Sequence, residues 1–208
     1  MLAKIDPART KVLRKGAFSG ESVLYWMSRD KRVDDNWALL AAQSVALNNK
    51  VPLIVCFQYL GHFPEANIRQ YGFQLKGLLE LKNKLESLNI EFILSQGRAS
   101  EVIPRIIDEK VVGTIITDYS PLRVYKKRVS KVLNRTKIPF YQIDAHNIVP
   151  VWKASPKKEY AAYTIRKKIH DNLDQFLTDY PSLIKHPYGN IRKDDISYDS
   201  IVNGLKID

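Results

Sequence analysis

The chain has 208 residues, 45% of them hydrophobic and 26% charged, with 33 Lys and Arg against 22 Asp and Glu for a net charge of +11. That is enough for one α/β domain with chain to spare, and the positive balance favours approach to a polyanion. The single cysteine excludes an internal disulfide or a cysteine-built zinc site, no apolar run approaches the roughly 20 residues of a membrane helix, and the basic N-terminal stretch has no apolar core behind it, as a signal peptide requires. The expected location is the cytoplasm, or the nucleus in a eukaryote, with no membrane partner.

Residues 1–20 mix Lys and Arg with few periodic apolar positions and read as an arm lying on the surface. Val23–Met27 (VLYWM) is a buried strand. It stops at Ser28 and is followed by the charged loop Arg29-Asp30-Lys31-Arg32. Asp34, Asp35 and Asn36 suit a helix start, and an amphipathic helix is expected from Trp37 to about Asn48. Pro52–Tyr59 is a second strand, apolar on both faces, with Cys56 as a small buried hydrophobe. Gly61 and Pro64 break the pattern, and Ala66–Leu88 is a long helix with Leu75, Leu78, Leu81 and Leu85 near the helical period. Ile90–Leu94 is a third strand, followed by a short helix capped by Ser100. Val111–Thr117 is a fourth strand, closed by Asp118-Tyr119-Ser120-Pro121, and a basic helix spans about Leu122–Leu133. Pro139–Ile143 is a fifth strand, ending at Asp144-Ala145-His146-Asn147.

Five strands alternating with helices predict a doubly wound parallel sheet, Rossmann-like, in the order 3-2-1-4-5. The first and fourth strands then meet at the switch point. The α/β domain is expected over residues 21–149. Residues 150–208 form a helical connector, with a helix over about Lys158–Leu177 and the start of another at Asp199–Leu205.

There is no glycine-rich dinucleotide fingerprint and no GxxxxGK[ST] loop, so a nucleotide held by backbone nests is not indicated. The loops at the switch point offer side chains instead. Arg29 and Asp118 could face one crevice and bind a planar, polar ligand, or they could form a structural ion pair between two loops. The four histidines show no ligand spacing, and His146, after a strand end, reads as a cap on backbone groups. No nucleophilic triad stands out, and no catalytic residue is assigned. Lys153, Lys157, Lys158, Arg166 and Lys167 cluster with Tyr160 and Tyr163 between them. That suits nucleic-acid phosphate and base contacts, or a solvated face, or one packed on an acidic partner. Trp26 and Trp37 fall on apolar positions and read as core anchors.

The stretches YWMSRDKRVDDNWALL, PEANIRQYGFQLKGL, TDYSPLR, DAHNIVPVW and KKEYAAYTIRKKI, in that order, closely resemble the N-terminal half of class II cyclobutane pyrimidine dimer photolyases. The likeness runs from about Val12 to the C-terminus. It implies an α/β domain able to hold a light-harvesting antenna, a deazaflavin or a folate. A following helical domain would bind FAD and the flipped dimer in UV-damaged DNA. By resemblance Arg29 and Asp118 match antenna-contact positions, with Met27, Ser28 and Tyr119 lining the same crevice. Two positions depart from the class II pattern: Arg128 stands where a tryptophan is expected, and Val151 where a cysteine is expected before Trp152. The resemblance places FAD and dimer chemistry beyond Asp208, so the chain alone is expected to be inactive. The rival readings are a free-standing chromophore- or nucleotide-binding module and a basic nucleic-acid-binding domain.

Overall fold

A computed structural model describes residues 5–60 and 67–189. The expectations at Gly61, His62, Pro64, Ala66 and Asp199–Asp208 lie outside the described residues. A short 3-10 turn, Pro7–Arg9, leads into β1 (Thr10–Arg14) and β2 (Ser22–Met27). Then follow α1 (Trp37–Asn49), β3 (Leu53–Tyr59), α2 (Ile68–Ser87), β4 (Glu91–Gln96), α3 (Ala99–Glu109), β5 (Val112–Asp118), α4 (Arg123–Arg135) and β6 (Phe140–Ile143). Three shorter helices end the described chain: α5 (Val151–Ala154), α6 (Ala162–His170) and α7 (Leu173–Phe176).

The sheet has six strands in the order β1-β6-β5-β2-β3-β4. The five expected strands are all parallel and take the expected order, with β2 and β5 adjacent. The expectation of a five-stranded, wholly parallel sheet is corrected at one edge. Thr10–Arg14, read as a surface arm, pairs antiparallel with β6. Its alternation is weak because an edge strand buries little of either face, and its residues are only partly covered or exposed.

Helices α1 and α2 pack on one face of the sheet, α3 and α4 on the other. Asn36 starts α1 as the residue type implies. Its Oδ1 accepts the N–H of Ala38 and of Leu39, each at 3.0 Å. α1 is not amphipathic as expected: Trp37 through Gln43 are all buried. The reason lies in the tail. Tyr180 stacks on Trp37 at 4.6 Å, and Gln43 exchanges two hydrogen bonds with Ile184, so the side of α1 away from the sheet is also covered. Ser100 does not cap α3, which begins at Ala99 with no side-chain cap. The long helix expected over 158–177 is two pieces, because Asn172 turns its amide onto the Lys168 carbonyl at 2.7 Å and ends α6.

Arg9 joins the N-terminal turn to the loop after β6 and to α7. It is 2% exposed. Its guanidinium donates to the carbonyls of Asn147 (2.8 Å) and Ile148 (2.6 Å), with longer bonds to Asp144 and Phe176, and it lies over the Trp37 ring at 4.9 Å. A buried cation whose hydrogen bonds all go to backbone carbonyls leaves several acceptors unpaired if it is removed. Arg9→Met should therefore lower the unfolding free energy by about 3 kcal/mol, read by urea titration. A loss below ~1 kcal/mol would show that those carbonyls find other partners.

Candidate functional site

The C-terminal end of β2 is shaped by one carboxylate. Asp118, the last residue of β5, is 3% exposed. Its Oδ1 accepts the Tyr25 hydroxyl at 2.6 Å, and its Oδ2 accepts the backbone N–H of Ser28 at 2.7 Å and of Arg29 at 2.8 Å. Tyr25 in turn accepts from the Asn36 amide at 3.2 Å, and that amide also donates to the carbonyls of Asp30 and Arg32. The charged loop is thus held through its backbone by the Asp118 side chain of β5 on one side and by the Asn36 side chain that caps α1 on the other. Arg29 meets Asp118 through its main chain, not through an ion pair of side chains.

Burial pushes the Asp118 carboxyl pKa upward. The hydrogen bonds from Tyr25 and from the Arg29 and Ser28 amides pull the other way. The Tyr25 hydroxyl is pushed well above its ordinary value, first by burial and then by the neighbouring Asp118 charge.

A crevice of about 210 Å³ opens at the C-terminal ends of β2 and β3, beside the switch point. Trp26, Phe57, Tyr59, Tyr71 and Tyr125 are among its lining residues, and Lys31 and Arg128 supply cations. Lys31 lies over the Phe57 ring at 5.3 Å, and Arg128 over Tyr125 at 5.2 Å. Gln58, Gln70 and Gln74 add amides, of which Gln70 is already engaged in capping α2 at Asn67.

The residues expected at the site are not all brought together. Ser28 lines the crevice. Met27 is fully buried on the opposite face of the sheet, toward α1. Asp118 is enclosed by the donors above. Tyr119 lies edge-on to Trp152 at 5.2 Å and borders a different groove, of about 440 Å³, between β1, α4 and α5. Sequence reasoning missed Trp26 as a lining residue, along with Lys31, Phe57, Tyr59, Tyr71, Tyr125 and Arg128. Strand alternation carried the signal for the first of these, because Trp26 and Ser28 must share a face that Met27 does not.

His146 does not cap backbone groups as read: its Nδ1 pairs with the Asp30 carboxylate at 3.1 Å. Asp144 accepts the N–H of Val151 at 2.8 Å and the Asn147 amide, so it builds the turn after β6. Cys56 is fully buried, and burial raises its thiol to about 12, which makes it inert at neutral pH. In the connector, Lys153, Lys157, Lys158, Arg166 and Lys167 are exposed, as are Tyr160 and Tyr163. Lys167 is paired with Asp171 at 2.8 Å, and its neighbour Lys168 with Glu159.

A family model described as DNA photolyase matches residues 23–186, the whole span from β2 through the connector tail. The chain belongs to the DNA photolyase family. It is 46% identical over 191 residues to the deoxyribodipyrimidine photo-lyase of Potorous tridactylus, a match that covers 90% of this chain and 36% of that protein. The corresponding Arabidopsis thaliana protein is 39% identical over 209 residues, covering 96% and 42%. The chain therefore spans well under half the length of these relatives. Among solved structures, a Synechocystis cryptochrome superposes with a TM-score of 0.65 at 14% identity, over 83% of this chain and 37% of that one. A class III photolyase from Agrobacterium tumefaciens gives 0.59 at 19%, over 86% and 38%. These two show the fold: the Rossmann-like N-terminal domain of photolyases and cryptochromes.

Asp118 in this photolyase domain has a pH signature. Its folded carboxyl holds the proton more tightly than the unfolded one, so the stability linked to that proton is fully present below about pH 4 and is lost as pH rises through the folded value, while the hydrogen bonds it accepts persist. The unfolding free energy of Asp118→Asn relative to wild type should accordingly improve as pH rises from about 4 toward neutrality, in urea titrations at each pH. A flat difference would show that the buried carboxyl titrates like an exposed one.

Proposed function

We propose that this chain is the antenna-type α/β domain of a class II cyclobutane pyrimidine dimer photolyase. In that reading FAD and the dimer belong to a helical domain beyond the described residues, in the same polypeptide or in a second one. The chain by itself repairs nothing. The class II assignment rests on the long ordered motifs from YWMSRDKRVDDNWALL to KKEYAAYTIRKKI, together with the 46% identity to a curated photo-lyase.

The observation that carries the antenna reading is the crevice beside the switch point. A flat heteroaromatic ring fits its chemistry: aromatic side chains, Trp26, Tyr59 and Tyr125 among them, border it, and Lys31 and Arg128 offer charge to a polar or anionic edge. At about 210 Å³ it is smaller than most enclosed ligand sites, so it takes the ring system of a deazaflavin or folate and leaves the rest in solvent. When bound, such a pigment would supply light absorption and pass excitation to a flavin. The chain's own part is to hold the ring in place. Asp118 and Tyr25 contribute at one remove, by fixing the Ser28–Lys31 loop that brings Lys31 to the crevice mouth. Arg29 and Tyr119 remain proposed contacts only for parts of a pigment that extend past the crevice, and Met27 supports the strand from behind. The connector cations Lys153, Lys157, Lys158, Arg166 and Lys167 are proposed contacts of the full enzyme with UV-damaged DNA.

Titration of the purified chain with a deazaflavin and, separately, with a methenyl-folate tests this. One pigment should raise the melting temperature and quench Trp26 fluorescence, and Arg128→Ala should weaken that binding about tenfold. No response to either pigment, or equal affinity in Arg128→Ala, would remove the antenna reading of this crevice.

A further inference from the structure

Helix α4 reads RVYKKRVSKVLNR: six of its residues are cations and none is acidic. Only Val132 is fully buried, and no side chain caps the N-terminus. Arg123, Lys127 and Lys131 are exposed and recur every four residues, so they form one row on the outer face with steps of about 6 Å. Lys126 flanks the row.

The other helices of this chain treat their charges differently. Lys82 pairs with Glu86 at 2.6 Å, Arg105 with Glu109 at 3.7 Å and Lys167 with Asp171 at 2.8 Å, each within a turn. Among the described residues, no α4 cation forms a salt bridge. Arg135 donates to the Ser100 carbonyl and Arg128 lies over Tyr125 toward the crevice, so these two are engaged. The outer row is left as like charges at i, i+4 spacing, which opposes helix formation. Neutralisation by an external polyanion removes that cost.

We infer that the outer row of α4, Arg123, Lys127 and Lys131 with Lys126, is a docking face for the phosphate backbone of duplex DNA. The helix is about 20 Å long, which spans about six phosphates of one strand. The face carries no exposed aromatic platform: Tyr125 is half-buried and turned toward the crevice. A single strand would need such platforms for its bases. A duplex presents phosphates outward and asks only for charge, so binding here is independent of sequence and of any lesion. The row Arg123, Lys127 and Lys131 belongs to a different element from the connector cluster, whose Lys167 is already paired with Asp171, although Lys126 and the connector's Ser155 border one groove. It does not depend on a pigment in the crevice, so failure of one proposal leaves the other standing.

The test is fluorescence anisotropy with a short labelled duplex free of dimers, using the whole chain over a salt series. Arg123→Gln/Lys127→Gln/Lys131→Gln should bind at least about tenfold more weakly at low salt, with a log–log salt slope shallower by about 2 to 3. Its melting temperature should hold or rise, because like-charge pairs are gone, and this separates lost binding from lost fold. Arg166→Gln/Lys167→Gln should lose less. The inference is overturned if the α4 variant binds within about twofold of wild type, if the connector variant loses as much or more, or if the wild-type chain shows no salt-dependent binding.

Discussion

The carboxylate of Asp118 holds three segments of chain at one point. It ends β5, bonds the hydroxyl of Tyr25 on β2, and takes the first two amides of the loop that follows β2. Through Tyr25 it also reaches Asn36, the cap of α1. In an open parallel sheet two neighbouring strands diverge in their connections at the switch point, and nothing in the sheet ladder itself fixes the loops there. A buried anion with several donors does, since each bond to it is charge-assisted and each donor would otherwise lie unpaired. The cost is desolvation of the carboxylate, which shows as its raised pKa. The position of Lys31 at the crevice, and the freedom of Ser28 to line it, follow from that anchoring.

The same logic repeats at the other end of the chain's path. Arg9 is a buried cation among carbonyls, and it ties the N-terminal turn to the loop after β6 and to α7. The tail then runs over α1, and His186 donates from Nε2 to the Val51 carbonyl in the turn between α1 and β3 and from its backbone N–H to the Leu88 carbonyl in the turn between α2 and β4. The connector is therefore packed on the sheet domain rather than hanging from it.

Much of this was legible in the residues. Apolar runs of strand length, Asn36 before an apolar helix and the alternation of five strands with helices led to the parallel order that the sheet shows. The antiparallel β1 was not legible, because TKVLR has no strong apolar alternation and its pairing with β6 joins residues more than a hundred positions apart. The burial of α1 on all sides was hidden for a similar reason: its outer cover comes from residues near 180. At the site, Asp118 and the β2 loop stood out because charged residues after an apolar run are conspicuous. The aromatic lining did not, because Phe57, Tyr59, Tyr71 and Tyr125 read as ordinary core or surface positions until β3, α2 and α4 are placed around one mouth.

Amide hydrogen exchange at Ser28 and Arg29, compared between wild type and Asp118→Ala, bears most directly on the keystone role of the carboxylate. Both amides should be protected in wild type and should exchange fast in the variant, while Leu53–Phe57 of β3 stay protected. Unchanged protection at Ser28 and Arg29 in the variant would contradict the claim that Asp118 holds the mouth of the site.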